Sequence, residues 1–148
     1  MFETIKVRDW MTAPVITVLP SVSVSAASDL MREYNVRRLV VTENNNVVGI
    51  ITLGDVREAR PSDATTLSIW ELNYLWSQLT VGQVMTHTTF TVGPDNSIVD
   101  AAELMLEHKV SGLPVLDENN VLVGVISEAD LFRMIVKSKV NSETPVPA

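Results

Sequence analysis

Cysteine is absent from all 148 residues, which excludes disulfides and thiolate metal centres and leaves redox compartment without a marker. Histidine is nearly absent too. His87 and His108 are the only two, too few for a histidine-built metal site. Basic residues are the minority, 11 Lys and Arg against 18 Asp and Glu, for a net charge of −7. The chain therefore lacks the basic face that a nucleic-acid partner requires, and an anionic ligand would need a local cluster of cations. No apolar run approaches the roughly 18 residues of a membrane span, and the opening Met1-Phe2-Glu3-Thr4-Ile5-Lys6 has no charged-then-apolar leader pattern. There is no phosphate loop of the Gly-x-x-x-x-Gly-Lys-[Ser/Thr] type, and no spacing suggests a nucleophile with its base. Apolar material is plentiful, 46% against 20% charged, enough for one ordinary domain or two small ones sharing a core. These totals describe a soluble cytoplasmic protein with no nucleic-acid or membrane partner.

The dominant feature is an internal repeat. Shifted by 74 positions, Met11-Thr12 falls on Met85-Thr86, Thr17-Val18-x-Pro20 on Thr91-Val92-x-Pro94, and Ser23 on Ser97. Ala27, Leu30-Met31, Glu33, Val36, Leu39 and Val41 meet Ala101, Leu104-Met105, Glu107, Val110, Leu113 and Val115. Of the 38 paired positions from 11 to 48, 16 are identical, where average composition gives about two or three by chance. After a one-residue insertion in an Asn-rich turn, Gly49-Ile50-Ile51-Thr52-Leu53-Gly54-Asp55 matches Gly124-Val125-Ile126-Ser127-Glu128-Ala129-Asp130.

Each copy reads as a β-α-β-β-α unit, an α/β (α+β) class fold. A short strand (Val15–Val18; Thr89–Val92) ends at a proline, which cannot donate to a sheet ladder. A helix follows, with Ala101, Leu104, Met105 and His108, or Ala27, Leu30, Met31 and Tyr34, at helical spacing. Ser97 with Asp100 fits a capping pattern. Two strands come next, Arg38–Thr42 with Val47–Ile51 and Leu113–Leu116 with Leu122–Ile126, joined by Asn-rich turns. A last helix starts at Thr52 or Ser127. One unit of about 55 residues buries too little surface to be robust alone, whereas two related by a pseudo-twofold axis can cover each other. The expected organisation is a first repeat over 1–60, a linker with an aromatic helix over 61–79, a second repeat over 80–140 and a disordered tail over 141–148. In the linker, Leu67, Trp70 and Tyr74 share one helical face and Leu72, Leu75, Trp76 and Leu79 another. Either the segment docks on its own domain, or one of its two apolar stripes meets a second subunit in a homodimer.

The chemistry concentrates where the last strand of each copy turns into the last helix. Such a corner directs backbone N–H groups and a positive dipole end outward, and Thr52 or Ser127 adds a hydroxyl. Three residues on, Asp55 or Asp130 is an acceptor suited to two adjacent sugar hydroxyls. The same Thr-x-x-Asp and Ser-x-x-Asp spacing also makes a capping box with no ligand present, and both roles can coexist. Arg37-Arg38 forms a local anion trap in an acidic chain, or else a solvated strand start paired with Glu33. The second copy has Ser111-Gly112 there, with less charge and bulk, so two unequal sites are expected. An adenine needs an apolar slot and a backbone edge; Ile50, Val125, Pro114, Pro14-Val15 and Thr88-Thr89 are candidates, each equally readable as ordinary core or strand. Met31 and Met105 read as core, and His108 as a helix-surface histidine.

The repeated motifs resemble the cystathionine β-synthase (CBS) domain family in its tandem form, the Bateman module, over about residues 5–138. The carriers are Val81-Gly82-Gln83-Val84-Met85-Thr86, Val110-Ser111-Gly112-Leu113-Pro114-Val115 and Gly124–Asp130, echoed by Val7–Thr12, Val36–Val41 and Gly49–Asp55. The arrangement is similar to small bacterial CBS pairs without an attached enzyme domain. The resemblance implies a cleft between the copies with two quasi-equivalent sites for AMP, ADP, ATP, S-adenosylmethionine or sometimes NAD. It assigns phosphate to Thr52 and Ser127, helped by Arg37, Arg38, Ser111 and Gly112, and ribose to Asp55 and Asp130. In the family's crossed construction Arg37-Arg38 faces Ser127-Asp130, and Ser111-Gly112 faces Thr52-Asp55. The implied function is a non-catalytic sensor that needs no cofactor and regulates an unidentified protein. A protein-interaction unit with vestigial sites is the alternative.

Overall fold

The computed structural model describes residues 2–61, 66–87 and 90–142, without the side chains of 140–142. The chain forms two compact units, and they are not simply the two repeats. One comprises Ile16–Thr89; the other joins Met1–Val15 to Phe90–Ala148.

The Ile16–Thr89 unit contains β1 (Thr17–Val18), α1 (Val24–Glu33), β2 (Arg38–Glu43), β3 (Asn46–Thr52), α2 (Leu53–Ala59), α3 (Ile69–Gln78), α4 (Val81–Val84) and β4 (Thr86–His87). The strands form one sheet in the order β1-β2-β3-β4, with β1 parallel to β2 and the other pairs antiparallel. Ser23 starts α1 by accepting a hydrogen bond from Ala26 N at 3.0 Å. Val24, Ala27 and Met31 then recur on one helical face and are buried. They pack with Leu39, Val41 and Ile51 of the sheet, with Val56 of α2, and with Val81. Asn44 and Asn45 take positive φ in the β2–β3 turn (54° and 65°), a conformation asparagine tolerates.

The other unit holds a short 3₁₀ turn (Val7–Asp9), α5 (Ile98–His108), the antiparallel hairpin of β5 (Gly112–Leu116) and β6 (Leu122–Ser127), and α6 (Glu128–Ser142). Single bridges flank that hairpin: Val92 runs parallel beside Val115, and Thr12 antiparallel beside Val125. These occupy the places that β1 and β4 hold in the first sheet. Both hairpins carry a register shift at matched positions, Val41/Thr42 and Val115/Leu116. The longer turn is tied by Asp117, whose Oδ1 accepts from Asn119 N at 2.8 Å and Val121 N at 2.9 Å. The core here is Val7, Val92, Ala101, Met105, Leu113, Val115 and Ile126. Met31 and Met105 are core residues, as expected. His108 is half-buried, its ring stacked 3.5 Å from that of Phe90.

The repeats exchange their leading segments. Val7 and Val81 are matched columns and both are fully buried, yet Val7 packs in the second repeat's core and Val81 in the first's. Val7 N donates to Asn96 O and Arg8 N to Pro94 O, each at 2.9 Å, and Arg8 pairs with Asp95. The Arg8 guanidinium holds the Asp95 carboxyl below the usual carboxylate range. Met11-Thr12 lies across Gly124, and Met85-Thr86 across Gly49. A Cβ on Gly49 would sit 2.7 Å from Thr86 O and 2.8 Å from Met85 Sδ. That contact is why the Gly-x-x-[Ser/Thr]-x-x-Asp motif begins with glycine. Gly49→Ala is therefore expected to cost about 1–3 kcal/mol, the usual penalty for overpacking. For a chain of this size a thermal melt should fall by about 2–4 °C per kcal/mol.

Several boundaries differ from the sequence reading. The first strand is shorter than Val15–Val18, its pairing opening with Val40 N donating to Ile16 O, just after Pro14, which has no N–H to give. In the second copy only Val92 bridges among the described residues of that stretch. The linker helix is Ile69–Gln78, capped by Ser68, which accepts from Glu71 N at 3.2 Å; Leu67 lies before it. Trp76 and Leu79 pack on the first core, while Ile69, Trp70 and Tyr74 are exposed. α6 runs through Ser142, two residues into the expected tail, with Lys139 in its last turn suiting the negative dipole end. Residues 143–148 and the Ser62-Asp63 break lie outside the described residues. No described helix is long and apolar enough to cross a membrane.

Candidate functional site

Both strand-to-helix corners are built the same way at the backbone. Arg38 is paired with Thr52 and Gly112 with Ser127 across the two hairpins. The first helical N–H then donates back to the strand start, Leu53 N to Arg37 O at 2.8 Å and Glu128 N to Ser111 O at 3.0 Å. Each basic or neutral pair thus lies against the corner of its own hairpin. Of the two corners, the first has the arginine pair along its hairpin.

The side chains make the corners different. At the first, Thr52 Oγ1 accepts from Asp55 N at 3.1 Å, and Asp55 Oδ2 accepts from Thr52 N at 2.9 Å. This is a complete capping box. It leaves Asp55 Oδ1 and the Thr52 hydroxyl proton without a partner among the described residues, and both residues are half-buried. At the second corner Asp130 Oδ2 accepts from both Ser127 N (2.8 Å) and Ser127 Oγ (3.0 Å). Its Oδ1 accepts from Thr12 Oγ1 at 3.2 Å and from the Arg133 guanidinium. Asp130 is 2% exposed. An ionised carboxylate has about four lone-pair positions, and here four donors meet them. The open corner offers one acceptor and one donor to solvent; its counterpart has turned both inward.

Of the remaining candidates, Arg37 is exposed, while Arg38 and Ser111 are half-buried and Gly112 buried. Ile50, Pro114 and Val125 are buried in the sheets. The backbone edge of Val125 is taken, because Thr12 N donates to Val125 O at 2.8 Å and Val125 N to Thr12 O at 3.0 Å. Ile50 is similarly bridged to Thr86. Pro14 is exposed and Val15 half-buried; Thr88 and Thr89 lie outside the described residues. Sequence reasoning missed two contributors. Arg133 occupies the column of Glu58, a charge reversal visible once the repeats are aligned. Thr12 stands 118 residues from Asp130 along the chain, and only its place in the repeated Met-Thr pair marked it. No group of three or more His, Cys, Asp or Glu that could hold a metal occurs among the described residues.

The family model of the CBS domain matches the chain twice, at residues 7–62 and 81–137. A CBS domain-containing protein of Bacillus subtilis, YhcV, is 31% identical over 84% of this chain and 81% of its own length. Homoserine O-acetyltransferase of Methanococcoides burtonii is 37% identical over 87% of the chain, which spans only 24% of that relative. Among solved structures, CBSX2 from Arabidopsis thaliana, in complex with AMP, superposes with a TM-score of 0.71 at 31% identity, over 90% of this chain and 97% of that one.

Proposed function

From the premise that the chain belongs to the CBS domain family and carries the domain as a pair, we propose that it is a regulatory module binding an adenosine-containing ligand, without catalysis of its own. The observation that carries this reading is the open first corner, where one carboxylate oxygen and one hydroxyl proton have no partner among the described residues and the helix's first N–H donates to Arg37 O. Asp55 accepts from the ribose hydroxyls and Thr52 meets the phosphate; in place of the crossed arrangement that the resemblance implies, Arg37 and Arg38 are assigned to this same corner, because Arg38 is paired with Thr52 across the hairpin. Ser127, Asp130, Ser111 and Gly112 form the less charged counterpart. The apolar side chains of Ile50 and Val125, with Pro14, Val15, Thr88, Thr89 and Pro114, are the adenine-side candidates. CBSX2 was solved with AMP at 31% identity, which makes AMP the first ligand to try.

Thermal melts with AMP, ADP, ATP and S-adenosylmethionine test this. A ligand at a hundred times its dissociation constant adds about 2.7 kcal/mol, a rise of about 5–10 °C for a chain of this size. Asp55→Asn keeps an oxygen for the capping bond and should remove most of the rise. Flat melts with all four compounds would sink the proposal in favour of an interaction module with vestigial sites, a reading that the fully committed Asp130 supports at the second corner.

A further inference from the structure

Arg133 and Glu58 hold matched positions three residues beyond the two motif aspartates, and they carry opposite charge. On a helix, positions three apart are neighbours. Arg133 uses this to bind Asp130 Oδ1 while staying 59% exposed itself; Glu58 is exposed and offers Asp55 no donor. Thr12 and the Ser127 backbone and hydroxyl fill the rest of Asp130. We infer that Arg133 is a latch that keeps the second corner shut, so that the chain takes its adenosyl ligand first through Asp55 and Asp130 becomes available only when Arg133 lets go.

The chemistry behind the inference is acceptor capacity. A ribose diol approaching Asp130 must displace a charge-assisted bond to reach a lone pair, whereas at Asp55 the described residues occupy one of about four positions. Of the four donors on Asp130, Ser127 N and Oγ are local to the motif and buried. Arg133 and Thr12 are on exposed residues, with water available to replace Asp130 as their partner. Arg133 is the one with a charge, and the one whose counterpart in the other repeat has the opposite sign.

The inference rests on the ligand-binding proposal, and calorimetry with AMP separates the two. The wild-type chain is expected to bind one AMP. Arg133→Ala, checked for an intact melt, should bind a second. Glu58→Arg, an exposed substitution, installs the latch at the first corner and should weaken AMP binding by about tenfold or more. That loss would run against the attraction a new cation exerts on an anionic ligand, which makes it diagnostic. Two AMP bound by the wild type, an unchanged stoichiometry in a folded Arg133→Ala chain, tighter AMP binding in Glu58→Arg, or AMP binding that survives Asp55→Asn would each overturn the latch. Absence of heat in every variant, repeated with S-adenosylmethionine, would instead overturn ligand binding itself.

Discussion

Asp130→Ala is expected to destabilise the chain by about 2–5 kcal/mol, several times the effect of Asp55→Ala. Truncation at 130 strips the acceptor from Ser127 N and from Ser127 Oγ, both buried. Each buried polar group left without a partner costs about 1–3 kcal/mol. Thr12 and Arg133 reach solvent and add little. At the other corner Asp55 supplies one acceptor, to Thr52 N, and the half-buried Thr52 can turn to water. That substitution therefore resembles the ordinary loss of a helix cap, about 1 kcal/mol. Urea titrations of the two variants should show the difference as a displaced midpoint at constant slope. Equal losses would mean that Asp130 is no more committed to its neighbours than Asp55, and the open-versus-filled distinction between the corners would fail with it.

That distinction lay beyond the sequence, although the corners themselves did not. The duplicated glycine-to-aspartate motif located both turns, and the cap at Ser97 formed as its spacing required. Of the helical face Ala27, Leu30, Met31 and Tyr34, the first three pack on the core, whereas Tyr34 caps the helix end and is exposed. What a repeat alignment cannot reveal is which copy a matched column packs against. Val7 and Val81 look alike in sequence, and either could line either core. The hydrogen bonds of Val7 and Arg8 to Asn96 and Pro94, and of Thr12 to Val125, assign the leading segment to the second repeat. The state of Asp130 was hidden for the same reason. Two of its partners lie outside the motif: Thr12 arrives with that exchanged segment, and Arg133 stands three residues past the motif's last position. Pro14 and Val15 show a second limit: apolar composition at a strand start reads as pocket or core alike, and that Pro14 is exposed while Val15 is half-buried is a tertiary outcome that local pattern does not encode.

Leu113→Ala is expected to cost about 2–5 kcal/mol, the range for emptying a leucine site in a packed core. The side chain is fully buried among Val7, Val92, Ala101, Met105, Val115 and Ile126, and β5 is held on both sides, so its backbone has little freedom to collapse into the void. Leu39→Ala, its counterpart in β2 and equally buried, should lose a similar amount from the other core. Amide hydrogen exchange through sub-global opening shows where each loss falls. Leu113→Ala should speed exchange in β5 and β6, and also at Val7, Arg8 and Thr12, because those amides are bonded to the second repeat. Leu39→Ala should speed exchange in β2 and β3 and at Val81 and Gly82, whose acceptors are Val22 O and Pro20 O. If the Thr12 amide instead follows Leu39→Ala, the leading segments are not exchanged. Asp130 would then lose the hydrogen bond from the Thr12 hydroxyl, and the second corner would have a lone pair to offer after all.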